Sequence, residues 1–566
     1  MIAASLDPFT LEIARSYLVS TVREMVATTT RTAYSTCFAH GEDFTCGLFD
    51  ADGRLIAQDQ GVPVHAGALG DAVSHVIANA GPIVPGDVFV HNDPYNGGTH
   101  QADGLICRPI FVDGALTGFA ANRGHWTDIG GMAPGGWSGS AEDVTQEALV
   151  IPAVRLLAGG TVVEDVKRMI LRNVRLPVQL WGDIQAQIAS NVVAERRIAD
   201  LVRRYGRDGF DEIVAGTLDY SRTRFLVGLE QIADGVVEAS DVIEDDGRGR
   251  GPLTIRVRLT KSPERVQVDF AGTDSQALAP VNSTLACTKA AVICSLVAIV
   301  DPDIPLNSGV IELIEVVAPA GSLVNPTSPA PTFGATADPS DRVSEALLLA
   351  LAQLAPARVP AGSYSTGNNC TGGGLREDGS QFLWYAYMAG GCGARPWADG
   401  NSAEWHLMAN SRNESMEVWE RRYPVEFLSF GFIADSAGAG RYRGGLGTER
   451  RMRMTEPTRL SGISDHHLIG AQGLQGGEAG RPNGFALERD GERKTMKDAF
   501  GLVSPSKFAN LPLRRGDVFV QIQGGGGGFG DPRERERERV RADVEAGYVT
   551  PGRAAASYGF EGDMSA

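Results

Sequence analysis

The sequence predicts an α+β fold of several domains, with mixed and antiparallel sheets, a helical segment and a β-rich C-terminal domain. The chain has 566 residues, too many for one hydrophobic core. Residues 162–240 have helical periodicity and little glycine, whereas residues 415–523 are rich in short β-like runs and turns, and similar runs occur at 43–58 and 87–125. The predicted regions are 1–160 (an α+β lobe), 161–250 (the helical segment), 251–414 (mixed α/β), 415–532 (the β-rich domain) and 533–566 (a helical tail).

Local signals define the elements of the first lobe. Asp7 can cap a helix, Pro8 suits its first turn, and apolar residues recur at helical spacing over 7–35. The segment "DFTCGLFDADGRLIAQ" (43–58) predicts a hairpin around a "DADG" turn, and a helix is expected near 66–79. Short strands are predicted at 87–91, 104–112 and 116–125.

The remaining regions alternate between helices and strands. Residues 162–240 should form two to four helices, and strand patterning returns at 253–272. The mixed region contains the helical run "SDRVSEALLLALAQLAP" and the apolar run "AAVICSLVAIV" (290–300), which is too short to span a membrane and is predicted to be buried. The tail "RERERERVRADVEAGYV" predicts a charged helix after a glycine run.

Charge and cysteine content exclude several classes of function. The 52 basic and 69 acidic residues give a net charge of −17 without a basic stripe, which argues against nucleic acid or an anionic membrane as a partner. No apolar run reaches about 18 residues, and the N-terminus lacks a basic region followed by an apolar block, so we expect a cytoplasmic protein. The seven cysteines form no CxxC pair and are expected to be reduced, mostly buried thiols.

Histidine is concentrated in the first lobe, where six of the nine histidines lie between residues 40 and 125. The last two predicted strands of this lobe are joined by Asp113-Gly114, a strong hairpin signal. If the turn centres between these two residues, paired residues have numbers that sum to about 227. Asp103 and His125 sum to 228, so they should lie opposite each other or nearly so at the open end of the hairpin.

A metal site is one interpretation of this end of the hairpin. His100 lies three residues before Asp103, in the loop that enters the same end, so His100, Asp103 and His125 can converge. Two imidazoles and one carboxylate are a common ligand set for a catalytic divalent metal, which can activate water or polarise a carbonyl. The alternative is that these residues only form turns, as loop histidines and aspartates often do.

Other polar residues of the lobe have two interpretations each. Asp93 precedes a proline and either forms an Asx turn or acts as a ligand or catalytic carboxylate. His91 ends a strand and faces either the core or a neighbouring residue. His65 either caps a helix or lines a pocket, and Asp128 either orients a ligand histidine or shapes the glycine turn after it.

The glycine-rich segments match no nucleotide-binding pattern. The segment "GGGGGFGDP" (524–532) lacks the lysine and Ser/Thr of a phosphate loop, so a flexible or closely packed turn is favoured. In "GGCGARPWADG" (390–400), Arg395 either binds a substrate carboxylate or pairs with Asp399, and Cys392 is expected to be structural. The chain also has no GxSxG elbow of a serine hydrolase.

Two long motifs, "NDPYNGGTHQAD" and "NRGHWTDIGGMAPG", resemble the signature of the hydantoinase B/oxoprolinase family. Further segments fall in the family's order along nearly the whole chain, among them "VHAGALG", "NSRNESMEVWERRYPV" and "AGAGRYRGGLG". The family includes the B subunits of N-methylhydantoinase and caprolactamase, the C-terminal part of 5-oxoprolinase, and subunits of acetone and acetophenone carboxylases. Such motifs are specific for the family and do not specify the substrate.

The resemblance implies a division of labour between two subunits. In the family, an A subunit with an actin-like ATPase fold binds ATP and phosphorylates a carbonyl or enolate oxygen, and a B subunit similar to this chain completes the reaction. The implied partner is a hydantoinase A-type ATPase subunit, in a hetero-oligomer such as A2B2. Carboxylase members hold a divalent metal with a His-x-x-Asp and a downstream His, which match His100, Asp103 and His125. Manganese or zinc is the expected metal, with iron as an alternative.

One position departs from the family's pattern. A second histidine often follows the last metal ligand, but this chain has Trp126, which we expect to shape a flatter or more apolar substrate pocket. The leading hypothesis is an ATP-dependent hydrolase of a lactam, hydantoin or oxoproline-like ring, with Asp93 or His65 as the base and with His91 and Asp128 supporting the ligands. The alternatives are a subunit of an ATP-dependent ketone carboxylase and a non-catalytic scaffold for the ATPase subunit.

Overall fold

A seven-stranded antiparallel sheet forms the centre of the first lobe. The computed structural model describes residues 7–59 and 61–561. The strands are β1 (Phe44–Asp50), β2 (Leu55–Gln58), β3 (Val88–His91), β4 (Asp103–Val112), β5 (Ala115–His125), β6 (Val154–Ala158) and β7 (Thr161–Val162). Their order is β2-β1-β5-β4-β3-β6-β7, which places the predicted β4–β5 hairpin in the middle of the sheet.

Seven helices belong to this lobe and to the segment that follows it. They are α1 (Pro8–Thr32), α2 (Thr36–Ala39), α3 (Pro63–Ala66), α4 (Leu69–Asn79), α5 (Val144–Glu147), α6 (Glu164–Arg172) and α7 (Pro177–Leu229). As predicted, Asp7 caps α1, and its carboxylate accepts hydrogen bonds from the backbone N–H groups of Phe9 and Thr10. Helix α7 is interrupted at Gly206, whose φ of 73° lies outside the helical region.

Helices cover both faces of the β4–β5 hairpin. Ile106 and Ala120 belong to the core shared with α1 and α7, whereas Leu105 and Phe119 belong to the core shared with α4. Successive side chains of a strand point to opposite faces, so both faces of the hairpin are buried. Packing on both faces therefore fixes the position of the hairpin's open end.

The middle of the chain contains a second, four-stranded sheet. Its strands are β8 (Gly235–Ile243), β9 (Leu253–Ser262), β10 (Arg265–Asp269) and β11 (Ile314–Val317), in the order β11-β10-β9-β8. The accompanying helices are α8 (Leu285–Val300), α9 (Ser308–Ile311) and α10 (Asp338–Leu354), with a 3₁₀ turn at Phe333–Thr336. The apolar run 290–300 lies in α8 and is mostly buried, as predicted. Strand β8 lies inside the segment predicted to be helical, where it pairs with β9 along its whole length.

The C-terminal part is rich in β-structure, as predicted. Its strands are β12 (Asn369–Leu375), β13 (Gln381–Ala386), β14 (Val425–Phe432), β15 (Thr448–Met454), β16 (Thr458–Ile463), β17 (Gly484–Arg489), β18 (Glu492–Thr495), β19 (Phe508–Leu513) and β20 (Val518–Gln523). One sheet has the order β13-β12-β16-β19, and the other has the order β14-β15-β20-β17-β18. The helices are α11 (Met416–Arg422), α12 (Met496–Phe500), α13 (Arg537–Glu545) and α14 (Pro551–Tyr558), with a 3₁₀ turn at Pro532–Glu534.

The glycine-rich segments of this part pack against one another through their backbones. The N–H of Gly526 donates to the carbonyl of Gly445 at 3.0 Å, and the N–H of Gly391 donates to the carbonyl of Gly524 at 3.0 Å. A Cβ atom on Gly526 would lie 1.9 Å from the carbonyl oxygen of Cys392. The segment 524–532 is therefore a closely packed element, which is one of the two forms that its composition predicted.

Two general features complete the fold. Within residues 7–59 and 61–561, no helix is both long enough and apolar enough to cross a membrane. All seven cysteines are free, and five of them are buried.

Candidate metal centre

The β4–β5 hairpin has the register that the sequence predicts. Asp113 and Gly114 form the turn with φ angles of 51° and 81°, which is the left-handed backbone of a type I′ turn. Next to the turn, Val112 pairs with Ala115, and these numbers sum to 227 (112 + 115). A bulge between Ile110 and Phe111 then shifts the sum to 228, and Asp103 lies directly opposite His125.

Three side chains converge at this end of the hairpin. The Nε2 atom of His100 lies 2.9 Å from Oδ1 of Asp103, and the Nδ1 atom of His125 lies 3.2 Å from Nε2 of His100. His125 Nδ1 lies 3.6 Å from Asp103 Oδ1. All three residues are at most 2% exposed. We refer to His100, Asp103 and His125 as the triad.

The spacing of the triad fits a divalent metal. Ligand atoms about 2.0–2.1 Å from a common ion are separated by about 3.0 Å in an octahedral arrangement and about 3.4 Å in a tetrahedral one. The three distances in the triad, 2.9, 3.2 and 3.6 Å, are close to these values. Two imidazole nitrogens and a carboxylate oxygen are also suitable donors, and they leave further coordination positions open.

The electrostatics of the triad favour the protonation states that bind metal. Burial acts to raise the pKa of Asp103, but the imidazoles of His100 and His65 outweigh it and hold this pKa well below its usual range. Burial lowers the pKa of His100 against the opposing effect of Asp103. These directions favour an ionised Asp103 and a neutral His100, the forms in which the two side chains bind metal.

His65 lies next to the triad, on the short helix α3. Its Nε2 atom is 2.9 Å from Oδ2 of Asp103, and the hydroxyl of Thr99 donates to the same oxygen at 2.5 Å. These two donors orient the Asp103 carboxylate so that Oδ1 faces His100 and His125. Of the two interpretations of His65, the structure supports the pocket residue.

Aromatic rings from distant parts of the chain surround the two triad histidines. Phe333 contacts His100 edge-on with ring centroids 4.7 Å apart, and Tyr385 stacks on His125 at 4.6 Å. Trp137 lies against both histidines. The carboxylate of Glu147 accepts the backbone N–H of Phe333 at 2.8 Å and thereby fixes the turn that carries this ring. Sequence reasoning missed these residues, because no local pattern connects them to the triad.

The triad opens into a cavity of about 50 Å³, which has room for a few water-sized ligands. We call it the metal cavity. Its other polar lining residues include His65, Asp43, Asn369, Tyr387 and His406. Burial raises the pKa of Asp43, and the nearby imidazoles of His125 and His65 oppose this rise. No sequence motif singles out Asp43, which directly precedes β1.

Asp93 and His91 lie outside this cavity's lining. Asp93 forms the Asx turn that the following proline suggested, and its carboxylate accepts from the backbone N–H of Tyr95 and the side chain of Asn96. The Nε2 atom of His91 lies 3.0 Å from the carbonyl oxygen of Asn96, and its ring stacks on His75. Burial lowers the pKa of His91 to about 4.

The hydrogen bonds of Asp128 and Trp126 join them to residues outside the triad. Asp128 accepts hydrogen bonds from the backbone N–H and the guanidinium of Arg175, at 2.7 and 2.8 Å, and it shapes the glycine turn. Trp126 is fully buried, its indole N–H donates to Gln187, and it is not among the residues that line the metal cavity. It follows His125 directly, and adjacent side chains of an extended backbone point to opposite sides.

Arg395 lies on a different cavity from the triad. Its guanidinium donates to the side-chain oxygen of Asn401 at 2.9 Å. Asp399 pairs with Arg535 instead, through two bonds of 2.7 and 2.8 Å. The alternative pairing of Arg395 with Asp399 is therefore not formed, and Arg395 keeps donors for another partner.

Known proteins show extensive similarity to this chain. The profile of the family described as hydantoinase B/oxoprolinase matches residues 7–532. Caprolactamase subunit beta of Pseudomonas jessenii is 32% identical over 451 residues, which cover 78% of each chain. The 5-oxoprolinase 1 of Arabidopsis thaliana is 30% identical over 511 residues, and the match covers 86% of this chain and 40% of that protein.

Solved structures give the same result for the fold. The crystal structure of the ATP-dependent caprolactamase from Pseudomonas jessenii matches with a TM-score of 0.90 and 29% identity, and the match covers 99% of this chain and 97% of that one. A nucleotide-free structure of acetone carboxylase has a TM-score of 0.88 at 21% identity and therefore shows a shared fold alone. Since the profile extends over nearly the whole chain and similarity to caprolactamase is found in both sequence and fold, the chain belongs to the hydantoinase B/oxoprolinase family.

Proposed function

We propose that the chain is the B subunit of an ATP-dependent cyclic amide hydrolase, acting on a lactam, hydantoin or oxoproline-like ring. The main support is the buried triad at the end of the β4–β5 hairpin, which opens into the metal cavity. The family contains proteins named caprolactamase, hydantoinase and 5-oxoprolinase, which open such rings. A hydantoinase A-type subunit would bind ATP, in a hetero-oligomer such as A2B2.

Each subunit would carry out one part of the reaction. An unstrained cyclic amide is a poor electrophile because resonance stabilises its carbonyl group. Phosphorylation of the carbonyl oxygen by the partner would make the carbonyl carbon electrophilic. The chain described here would then bring a first water molecule to this carbon, and cleavage of the ring C–N bond with protonation of the leaving amine would give an acyl phosphate. A second water molecule would release phosphate and the open-chain acid, so the reaction consumes two waters for each ATP.

The triad would hold a divalent ion, for which manganese, zinc and iron all suit the donor set. Such an ion supplies Lewis acidity and lowers the pKa of water. His65 and Thr99 would keep Asp103 oriented for this role.

Asp43 is our candidate for the group that takes a proton from the attacking water. It lines the metal cavity, whereas Asp93 is held in its Asx turn. His65 is the second candidate, but its Nε2 atom already faces Asp103. Replacing Asp43 with Asn should lower kcat about 10²–10⁴-fold without loss of bound metal. Asp52→Asn removes an exposed carboxylate and is the matched control.

The function is tested by co-expressing the chain with a hydantoinase A-type subunit from the same genome. The purified complex is supplied with ATP and with caprolactam, hydantoin or 5-oxoproline, and ring opening is followed by mass spectrometry. ATP-dependent opening of one of these rings, with no labelled bicarbonate in the product, supports the proposal. Incorporation of labelled bicarbonate would instead identify a carboxylase. ATP hydrolysis by the partner without metal in this chain would identify a scaffold.

A further inference from the structure

Asn369 carries a hydrogen-bond donor that is accessible from the metal cavity. The residue begins β12, is 5% exposed and lines the cavity. Its Oδ1 atom accepts a hydrogen bond from the hydroxyl of Tyr385 at 2.7 Å. Its Nδ2 atom donates to no described residue but retains accessible surface. The amide can therefore donate a hydrogen bond to a ligand in the cavity.

Three other unpaired donors of the same lining are enclosed by protein. They are the hydroxyl of Tyr387 and the indole N–H groups of Trp137 and Trp405, which have no partner among the described residues. These groups cannot reach a ligand in the cavity. Asn369 differs from them because its unpaired donor is accessible.

The orientation of the amide is fixed by its neighbours. Tyr385 holds Oδ1, and its ring stacks on His125 with centroids 4.6 Å apart, so one side chain connects the amide to the triad. The preceding residue, Asn368, has a left-handed φ of 49°. It is tied to β20, because its Nδ2 atom donates to the carbonyl of Ile522 and its own carbonyl accepts from Nε2 of Gln521, both at 2.6 Å. A donor that is fixed before the reaction needs no reorganisation during it.

Gly367 leaves the space that the amide occupies. It also lines the metal cavity, and a Cβ atom there would lie 2.8 Å from Oδ1 and 3.0 Å from Nδ2 of Asn369. A larger residue at this position would therefore displace the amide. The cavity is small, about 50 Å³, so a carbonyl group inside it lies close to its lining.

From this arrangement we infer that Nδ2 of Asn369 donates to the carbonyl oxygen of an acyl phosphate while water attacks its carbonyl carbon. The inference rests on the proposed function, in which ring opening gives an acyl phosphate. Water forms a C–O bond to the carbon and passes a proton to a base, while the electron pair of C=O moves to its oxygen. The oxyanion then re-forms the C=O bond and expels phosphate, which leaves the acid. A hydrogen bond to this oxygen strengthens as its negative charge develops.

A small acyl phosphate should therefore be hydrolysed by this chain without ATP or a partner subunit. The full-length chain, prepared with manganese, is incubated with acetyl phosphate in ¹⁸O-labelled water, and the products are followed by mass spectrometry. We expect hydrolysis with the label in acetate, because water attacks carbon. Label in phosphate would show attack at phosphorus and would overturn the inference. A rate no higher than that without protein would also overturn it.

Two substitutions of Asn369 test the hydrogen bond itself. Asn369→Asp keeps the shape and an acceptor for Tyr385 but lacks the donor, and Asn369→Leu lacks the donor without adding charge. Both should lower kcat about 10²–10³-fold with a much smaller change in KM, and both should retain bound metal. The control Asn79→Asp, exposed on α4 outside the metal cavity, should match the wild type. A loss in only one of the two Asn369 variants, or in neither, would contradict the role of the donor.

The assay with acetyl phosphate is separate from the ring-opening assay. Hydrolysis of acetyl phosphate that depends on Asn369, without ring opening by the complex, would support the role of Asn369 and contradict the cyclic amide hydrolase. Ring opening by the complex with an unchanged kcat in Asn369→Asp would support the hydrolase and overturn the role of Asn369.

Discussion

Asp103 and His125 face each other as the last residue pair of the β4–β5 ladder. The Asp113-Gly114 turn and the bulge at Ile110/Phe111 together set this pairing. A shift of one residue would turn one of the two side chains to the opposite face of the sheet. The geometry of the triad is therefore a consequence of the hairpin register.

Gly104 lies beside the triad at the end of β4, where any larger residue would disturb this register. A Cβ atom there would lie 2.1 Å from the ring of Trp126. Gly104→Ala should therefore displace Trp126 or the strand end, destabilise the protein by about 1–3 kcal/mol and weaken metal binding at least about tenfold. Metal affinity is measured by competition with a chelator. The control Gly70→Ala adds a methyl group on α4 with no atom within 4 Å and should bind metal like the wild type. Equal metal affinity in the two variants would contradict this account.

His65 should act on the metal through Asp103. Because it orients a ligand, His65→Ala should weaken metal binding by about 10–100-fold without abolishing it. His65→Gln keeps a side-chain N–H donor and should recover part of this loss. His75→Gln, on α4 outside the metal cavity, should leave the affinity unchanged. If His65→Ala binds metal as tightly as the wild type, the role of His65 in positioning Asp103 is wrong.

The backbone packing of the glycine-rich segments predicts a large effect at Gly526. Since its added Cβ would meet the carbonyl of Cys392 at 1.9 Å, Gly526→Ala should destabilise the protein by about 3 kcal/mol or more. Gly552→Ala on α14 meets no atom within 4 Å and serves as the control. The unfolding temperatures of both variants are compared with that of the wild type. A Gly526→Ala variant as stable as Gly552→Ala would show that the segment is loosely packed.

Buried neutral histidines should make the protein sensitive to acid. Burial lowers the pKa of His91 to about 4, below the value of about 6.5 in an unfolded chain. As the pH falls from 6.5 towards 4, this histidine takes up a proton in the unfolded chain but not in the folded one. The free energy of unfolding therefore decreases over this range, by up to about 3 kcal/mol. Burial lowers the pKa of His406 and His467 to about 3, so they act in the same direction.

The variant His91→Gln isolates this effect for one histidine. Its amide can still donate to the carbonyl of Asn96, but it does not titrate. The unfolding temperature of the variant should fall less steeply than that of the wild type between pH 6.5 and 4. Parallel curves for the two proteins would exclude a titrating His91. Burial raises the pKa of some acids, such as Asp59 to about 7, and these groups stabilise the folded protein as the pH falls. They are present in both proteins and therefore do not affect the comparison.

Features that depend on local sequence could be predicted. The cap at Asp7, the Asp113-Gly114 turn and the convergence of the triad all follow from short-range rules, and the structure confirms them. Trp126 follows His125 in the sequence, but its ring lies on the other side of the extended backbone and does not line the metal cavity.

Features that depend on distant segments could not be predicted. Phe333 and Tyr385 reach the triad from more than 200 residues away, and the fixed position of Phe333 depends on a hydrogen bond to Glu147. Asp43 directly precedes β1 and reaches the site only because β1 pairs with β5. Only the three-dimensional fold brings these groups together.

The metal content of the purified chain tests the central claim most directly. After incubation with manganese, zinc or iron and removal of excess ion, elemental analysis should find about one equivalent per wild-type chain. His100→Ala/His125→Ala should retain almost none, and His75→Gln should match the wild type. If the double variant binds as much metal as the wild type, the triad is not the metal centre.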